Sequence, residues 1–172
     1  MLASIIANDG EAAAREWAKG LVKNLARKPQ GNDRAQAKAI YSGECDVALM
    51  NTYYYGKMKF NNKNPEQKKW ADSLRLVFLD QTGRGQHVNI SAAAVLKASK
   101  KQAAAVKFIE WLTSPEAQLL YTEVNYEYPV NPGANPSRQV ASCAKFKIDE
   151  VSLTDIAKHT PRAQMIINEI GW

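Results

Sequence analysis

Cys45-Asp46-Val47-Ala48-Leu49-Met50-Asn51-Thr52-Tyr53-Tyr54-Tyr55 is the stretch on which the reading of this 172-residue chain turns. Residues 45–50 are short, mostly apolar and bounded by turn-forming residues, as expected of a strand buried in a parallel sheet. Such a strand predicts an α/β fold, in which ligands bind at the C-terminal ends of the strands. Residues 51–55 occupy that end. Aromatic side chains also fill junctions between sheet and helix, so packing is one reading of the three tyrosines. Three neighbours cannot all face one core, however, and at least one phenol must point toward the strand end, where oxygen donors collect. A phenolate is an oxygen ligand suited to a hard, highly charged cation such as Fe(III). Free tyrosine ionises at about pH 10, so only a strong Lewis acid displaces its proton at neutrality, which argues against calcium or magnesium.

Working outward, residues 2–7 are apolar and stop at Asn8-Asp9-Gly10. Asp9 followed by residues 11–26 reads as an N-capped amphipathic helix with Trp17, Leu21, Val22 and Leu25 on one face. Asp33 is placed to cap a helix over 34–41 that ends at Gly43. Downstream, 61–69 carry an exposed-helix charge pattern, and 74–79 predict a second strand. Gly83-Arg84-Gly85 reads as a turn in preference to a phosphate loop, because no strand-turn-helix fingerprint surrounds it. Residues 87–90 and 93–96 read as extended, and 101–112 as a helix with Val106, Phe108, Ile109 and Leu112 apolar. Ser114-Pro115 opens another helix, to about residue 123. Three prolines make 125–136 irregular. Ser152 caps a short helix, and Thr160-Pro161 opens a last one carrying Met165, Ile166 and Ile170.

Composition narrows the function. Hydrophobic residues form 45% of the chain and charged residues 23%, as in ordinary globular proteins. No apolar run approaches the roughly 18 residues that span a bilayer, so an integral membrane protein is not expected. Lys and Arg outnumber Asp and Glu, 23 to 17, but the positive charges are scattered, which disfavours nucleic acid. No serine or cysteine sits in a nucleophile elbow, and His87 and His159 lack motif partners and read as structural or exposed, so the chain is not expected to be an enzyme. Asn89-Ile90-Ser91 matches a glycosylation sequon too short to carry weight. Cys45 and Cys143 are spaced for no zinc motif; they fit a disulfide or two ordinary thiols equally well. Met1 runs into Leu-Ala-Ser-Ile-Ile-Ala without a charged leader region or cleavage site, so the start reads as an internal cut.

Gly31-Asn32-Asp33-Arg34-Ala35-Gln36, Gly43-Glu44-Cys45-Asp46-Val47-Ala48 and Asn51-Thr52-Tyr53-Tyr54-Tyr55 resemble the ferric-iron-binding proteins of bacterial ABC transporters. These belong to the class II, transferrin-like periplasmic solute-binding type. The resemblance continues in order through Gly85-Gln86-His87-Val88-Asn89-Ile90-Ser91, Phe108-Ile109-Glu110-Trp111-Leu112-Thr113-Ser114-Pro115-Glu116-Ala117-Gln118 and Glu127-Tyr128-Pro129-Val130-Asn131-Pro132. It covers nearly the whole chain, and Asn-x-Tyr-Tyr is its iron-specific part.

The resemblance implies a periplasmic-binding-protein type II fold, truncated so that the first lobe is largely missing. It implies Fe(III) held between two lobes, with Tyr53 and Tyr54 as phenolate ligands and Tyr55 as packing. A synergistic anion such as carbonate or phosphate falls near Asn51, with Asn32 or Asp33 at another anion-touching position. The family's third tyrosine and opposite-lobe ligands are expected upstream of Met1, so the chain alone is expected to bind iron weakly. Residues 1–87 are expected in the tyrosine-bearing lobe, 88–136 as a crossing and helices of the other lobe, and 137–172 as a returning tail. Exposed faces of Phe108, Trp111, Leu112, Leu119 and Tyr121 then call for a separate chain, exchanged segments or self-association. A periplasmic location and an ABC permease partner follow, and an oxidising compartment weights the cysteines slightly toward a Cys45–Cys143 disulfide. The alternative is a binding protein for an oxyanion or small organic anion, with the tyrosines as hydrogen-bond donors.

Overall fold

The computed structural model describes residues 1–143 and 145–172. Among them the α-helices are α1 (Leu2–Lys23), α2 (Asp33–Tyr41), α3 (Thr52–Lys59), α4 (Pro65–Asp72), α5 (Gln102–Leu112), α6 (Pro115–Leu120), α7 (Arg138–Ala141) and α8 (Leu153–Ile170). A π-helical turn, Tyr121–Asn125, continues α6. The chain packs as two units, Met1–Gln30, Val77–Asn89 and Phe146–Trp172 in the first, Gly31–Leu76 and Ile90–Lys145 in the second. This grouping differs from the sequence-based division at 87 and 136: α5 and α6 fall in the same unit as the tyrosine segment. The reason is non-local, since the chain leaving the π turn lies directly against α3.

In the first unit α1 and α8 bury a shared face of Leu2, Ala3, Ile6, Ala14, Ala18, Ala163 and Ile166, flanked by Ile156, Ile167, Ile170 and Trp172. Arg162 and Arg15 pair across it with Glu11 and Glu169. Gly10, at φ +83°, breaks α1 where Asn8-Asp9-Gly10 predicted a stop. Pro161 does not open a second helix as expected but lies inside α8. Helical residues on both sides of it bury apolar side chains on α1, which offsets the hydrogen bond that proline cannot donate. The glycine-bounded turn at 83–85 wraps Asp80, whose backbone carbonyl accepts from Gly83 and Gly85. Arg84 reaches both carboxylate oxygens of Asp9 at 2.6 Å.

In the second unit α2, α3 and α4 close on Ala37, Met58 and Ala71, with Met50, Tyr55, Trp70 and Leu74 packed around them. Asn32, not Asp33, caps α2, its side chain accepting from the Ala35 amide. Ser114 caps α6 in the way its Ser-Pro-Glu sequence predicts, and Pro115 holds the first helical position. Phe108, Trp111, Leu119 and Tyr121 are exposed, whereas Leu112 is half-buried.

The strands expected over 45–50 and 74–79 form no ladder; the chain there has no regular secondary structure and bends at residues 46 and 79. Among the described residues the β-type bridge joins Gln86 and Ile148, in parallel. A strand exists only through a neighbour, and none covers these apolar residues: Val47 is 82% exposed and Val77 71%.

Candidate metal centre

The tyrosine run does not sit at the end of a strand; it forms the first turn of α3. Asn51 is the residue that starts the helix, with extended backbone angles, yet its side chain makes no cap. Its backbone amide and its Nδ2 both donate instead to Asp33 Oδ1, at 2.6 and 3.2 Å. Asp33 therefore pins the entry to α3 from the start of α2. Asn32 is spent on its cap, and Asp33 stands at the entry to the tyrosine turn with its bonds to Asn51 already made.

Successive residues of an α-helix turn through roughly 100°, so three in a row fan across about 200°. Tyr55 takes the inward direction and packs on Met58, Ala37 and Ala71. Tyr53 and Tyr54 are left half-buried together, ring centroids 4.5 Å apart and planes inclined by 35°. Two cations lie against the pair. Arg34 stands 4.9 Å from the Tyr54 ring centre, and Lys57 Nζ lies 5.1 Å from that of Tyr53 and 5.8 Å from that of Tyr54. Arg34 Nε is buried without a hydrogen-bond partner.

Burial pushes the Tyr53 phenol above its ordinary value, and the Tyr54 hydrogen bond, the Tyr54 charge and the Asp33 and Glu127 carboxylates push the same way. Tyr53 is therefore protonated in the metal-free protein at neutral pH, and its oxygen becomes a strong ligand only when a cation displaces the proton.

Glu127 enters from the far end of the π turn. Its Oε2 accepts from Ser91 Oγ at 2.8 Å and its Oε1 from Asn125 Nδ2. Tyr126, the preceding residue, is left-handed at φ +60° and stacks on Phe60, centroids 5.6 Å apart. It can approach α3 this closely because residue 56 is glycine.

Among the described residues no group of three or more His, Cys, Asp or Glu is arranged to hold a metal ion. His87 and His159 belong to the first unit, and burial lowers the His87 value. The donors brought together in the first turn of α3 are the two phenols, hard oxygens. The sequence reading named Tyr53, Tyr54, Asn51, Asn32 and Asp33, and did not name Arg34, Lys57 or Glu127. Lys57 was recoverable, because residues three and four apart share a helix face; Glu127 had no local signal. Cys45 and Cys143 are free thiols, and the disulfide is not formed.

A family model described as bacterial extracellular solute-binding protein matches residues 3–148. The chain belongs to that family. It is 45% identical to iron uptake protein A1 of Synechocystis over all of its own length and 48% of that relative's. It is 34% identical to the major ferric iron-binding protein of Neisseria meningitidis serogroup B, over 90% of this chain and 45% of that one. A solved ferric binding protein from Campylobacter jejuni superposes with a TM-score of 0.93 at 45% identity, covering 99% of this chain and 54% of that one. A Trichodesmium protein solved with iron and citrate ligands gives the same TM-score at 40% identity and the same coverage. This solute-binding protein thus has the α/β periplasmic-binding-protein fold and spans about half the length of the relatives it matches. No helix among the described residues is long and apolar enough to cross a membrane.

Proposed function

We propose that this solute-binding chain carries the tyrosine half of a ferric-iron site, serving iron uptake through an ABC importer from the periplasm. Tyr53 and Tyr54 bind Fe(III) as adjacent phenolates, and a small anion such as carbonate or phosphate completes the coordination near Asn51. The observation that carries the reading is the pair itself: two half-buried phenols with ring centroids 4.5 Å apart, and Arg34 and Lys57 against their rings. Two protons leave when the pair ligates a cation, and the two fixed positive charges offset the negative charge that develops. Catalysis plays no part. Relatives named for ferric iron, matched over 90% and 99% of this chain, support the same cargo.

The test is optical. Saturating Fe(III), supplied as its nitrilotriacetate complex, should produce a tyrosinate-to-iron charge-transfer band that is lost in the Tyr53→Phe, Tyr54→Phe double variant. The unpartnered Arg34 Nε favours a second reading, in which the phenols and the guanidinium bind an oxyanion or small organic anion by hydrogen bonds. That reading takes over if no band forms and phosphate or citrate alone binds.

A further inference from the structure

Asp9-Gly10 is the one place in the 172 residues where aspartate or asparagine precedes glycine. The pair is chemically distinctive, because a glycine amide nitrogen has no side chain beside it to hinder its approach to the preceding carboxyl carbon. Its surroundings leave that approach open. Gly10, at φ +83° and ψ 168°, interrupts α1, so Asp9 stands at a helix end inside a longer helix, and helix ends fray. Both residues are exposed to water. A Cβ on residue 10 would meet nothing within 4 Å, so no neighbouring atom crowds the glycine.

One contact works against the reaction that this geometry invites. Arg84 donates from Nη1 and Nη2 to the two Asp9 carboxylate oxygens, at 2.6 Å each. A bidentate guanidinium fixes the plane of a carboxylate and favours its ionised form, and it holds the Asp9 carboxyl below its ordinary value. Ring closure onto a neighbouring amide needs the neutral acid, whose hydroxyl departs as water; the anion is a poor electrophile. The clasp runs from the 83–85 turn to the break in α1, within one unit of the fold.

We propose that Asp9-Gly10 is a site of spontaneous isoaspartate formation and that the Arg84 clasp holds the reaction in check. The Gly10 nitrogen attacks Asp9 Cγ; the N–Cγ bond forms, the Cγ–OH bond breaks, and water leaves with the amide proton, giving a cyclic succinimide. Water then adds to the former backbone carbonyl carbon of Asp9, and its bond to the Gly10 nitrogen breaks. The product is an isomer of the starting chain. Gly10 is joined through Cγ, the main chain is one carbon longer, and the old backbone carbonyl is a free carboxylate. The consequence falls on packing: Leu2, Ala3 and Ile6 precede the break, Ala14 and Ala18 follow it, and all share one core with Ala163 and Ile166. Lengthening the main chain between them moves two parts of one buried face out of register. The relocated carboxylate also leaves Arg84, whose Nε already lies 3.8 Å from Asp80 Oδ2 and 3.9 Å from Asp149 Oδ2.

The test ages the folded chain in warm, mildly acidic buffer and maps its peptides with an endoproteinase that cuts before aspartate but not before isoaspartate. Arg84→Gln should form isoaspartate at residue 9 about tenfold faster than the parent, having lost two charge-assisted hydrogen bonds. Arg84→Lys keeps the charge but cannot span both oxygens, and should fall between them. The isoaspartate-bearing fraction should melt below the unaged protein. Equal rates in the folded parent and a folded Arg84→Gln overturn the role of the clasp. Isoaspartate elsewhere in Arg84→Gln, with none at residue 9, overturns the site. Should Arg84→Gln not fold, the parent aged in urea replaces it: a rate at residue 9 about tenfold above that of the folded parent supports the proposal, and an equal rate overturns it.

Discussion

Gly56 and Tyr126 approach so closely that a Cβ on residue 56 would stand 2.6 Å from the Tyr126 Cβ and 2.7 Å from its Cγ. Real Cβ atoms do not come this near, so residue 56 must lack one for the chain after the π turn to lie on α3. One glycine thereby sets how closely a segment about seventy residues away in sequence lies against the tyrosine helix.

Gly56→Ala should accordingly destabilise the chain by about 1–3 kcal/mol, the usual range for forcing extra volume into a packed contact. Urea unfolding measures it. Adding Tyr126→Gly removes the opposing Cβ and suits the left-handed backbone, so the double variant should recover part of the loss. A single variant within about 0.5 kcal/mol of the parent would mean that the segment simply shifts aside.

Both cysteines should label as thiols in denatured, unreduced protein, since Cys45 and Cys143 are free. In the folded chain Cys143 should react slowly: burial pushes its thiol up, and its sulfur lies 3.5 Å from the Gln139 carbonyl oxygen, to which it donates. Fewer than two labelled thiols after denaturation would restore the disulfide that the sequence left open.

Tyr128 gives the fold an alkaline weakness. Burial, and secondarily the Cys143 charge, push its phenol up to about 12 from an ordinary 10.0. The raised value means that the folded state keeps its proton over a range where the unfolded chain has lost it. This stabilisation is fully present below about pH 10 and is lost as pH rises toward about 12. Tyr128→Phe cannot ionise, so the gap in melting temperature between pH 9 and pH 11 should be smaller in that variant than in the parent. Equal gaps would show that other groups cause the alkaline loss.

What the sequence disclosed and what it hid divide along locality. Ser114-Pro115 carries its cap and its start within four residues, and Asn8-Asp9-Gly10 carries its break within three, so both were legible. Residues 45–50 have a strand's composition, but Val47 and Leu49 stand exposed because pairing depends on a partner that no local pattern names. Pro161 reads as a helix start and is overruled by Ile156 and Ile166, which pack on α1 from either side of it. The tyrosine pair was legible from its neighbours Asn51 and Thr52. That it forms a helix turn braced by Asp33 depends on a contact 18 residues away.

The isolated chain should hold Fe(III) weakly. Two phenolates fill two of roughly six positions that a ferric ion takes, and the remainder fall to water, anion or buffer. Tyr53 adds a cost, because burial, the Tyr54 bond and two carboxylates all favour its protonated form, and the metal must reverse that preference. Arg34 and Lys57 offset part of it by stabilising the phenolates. Citrate should therefore strip iron from this chain at concentrations that leave the major ferric iron-binding protein of Neisseria meningitidis loaded, since the chain matches only 45% of that relative's length. Lys57→Gln should release iron at about tenfold less citrate, having lost the cation that lies against both rings. The charge-transfer band followed during citrate titration reads both effects. Equal retention by the chain and the relative would mean that ligands other than Tyr53 and Tyr54 hold the metal, and a Lys57→Gln curve that overlays the parent would remove the cation from the site.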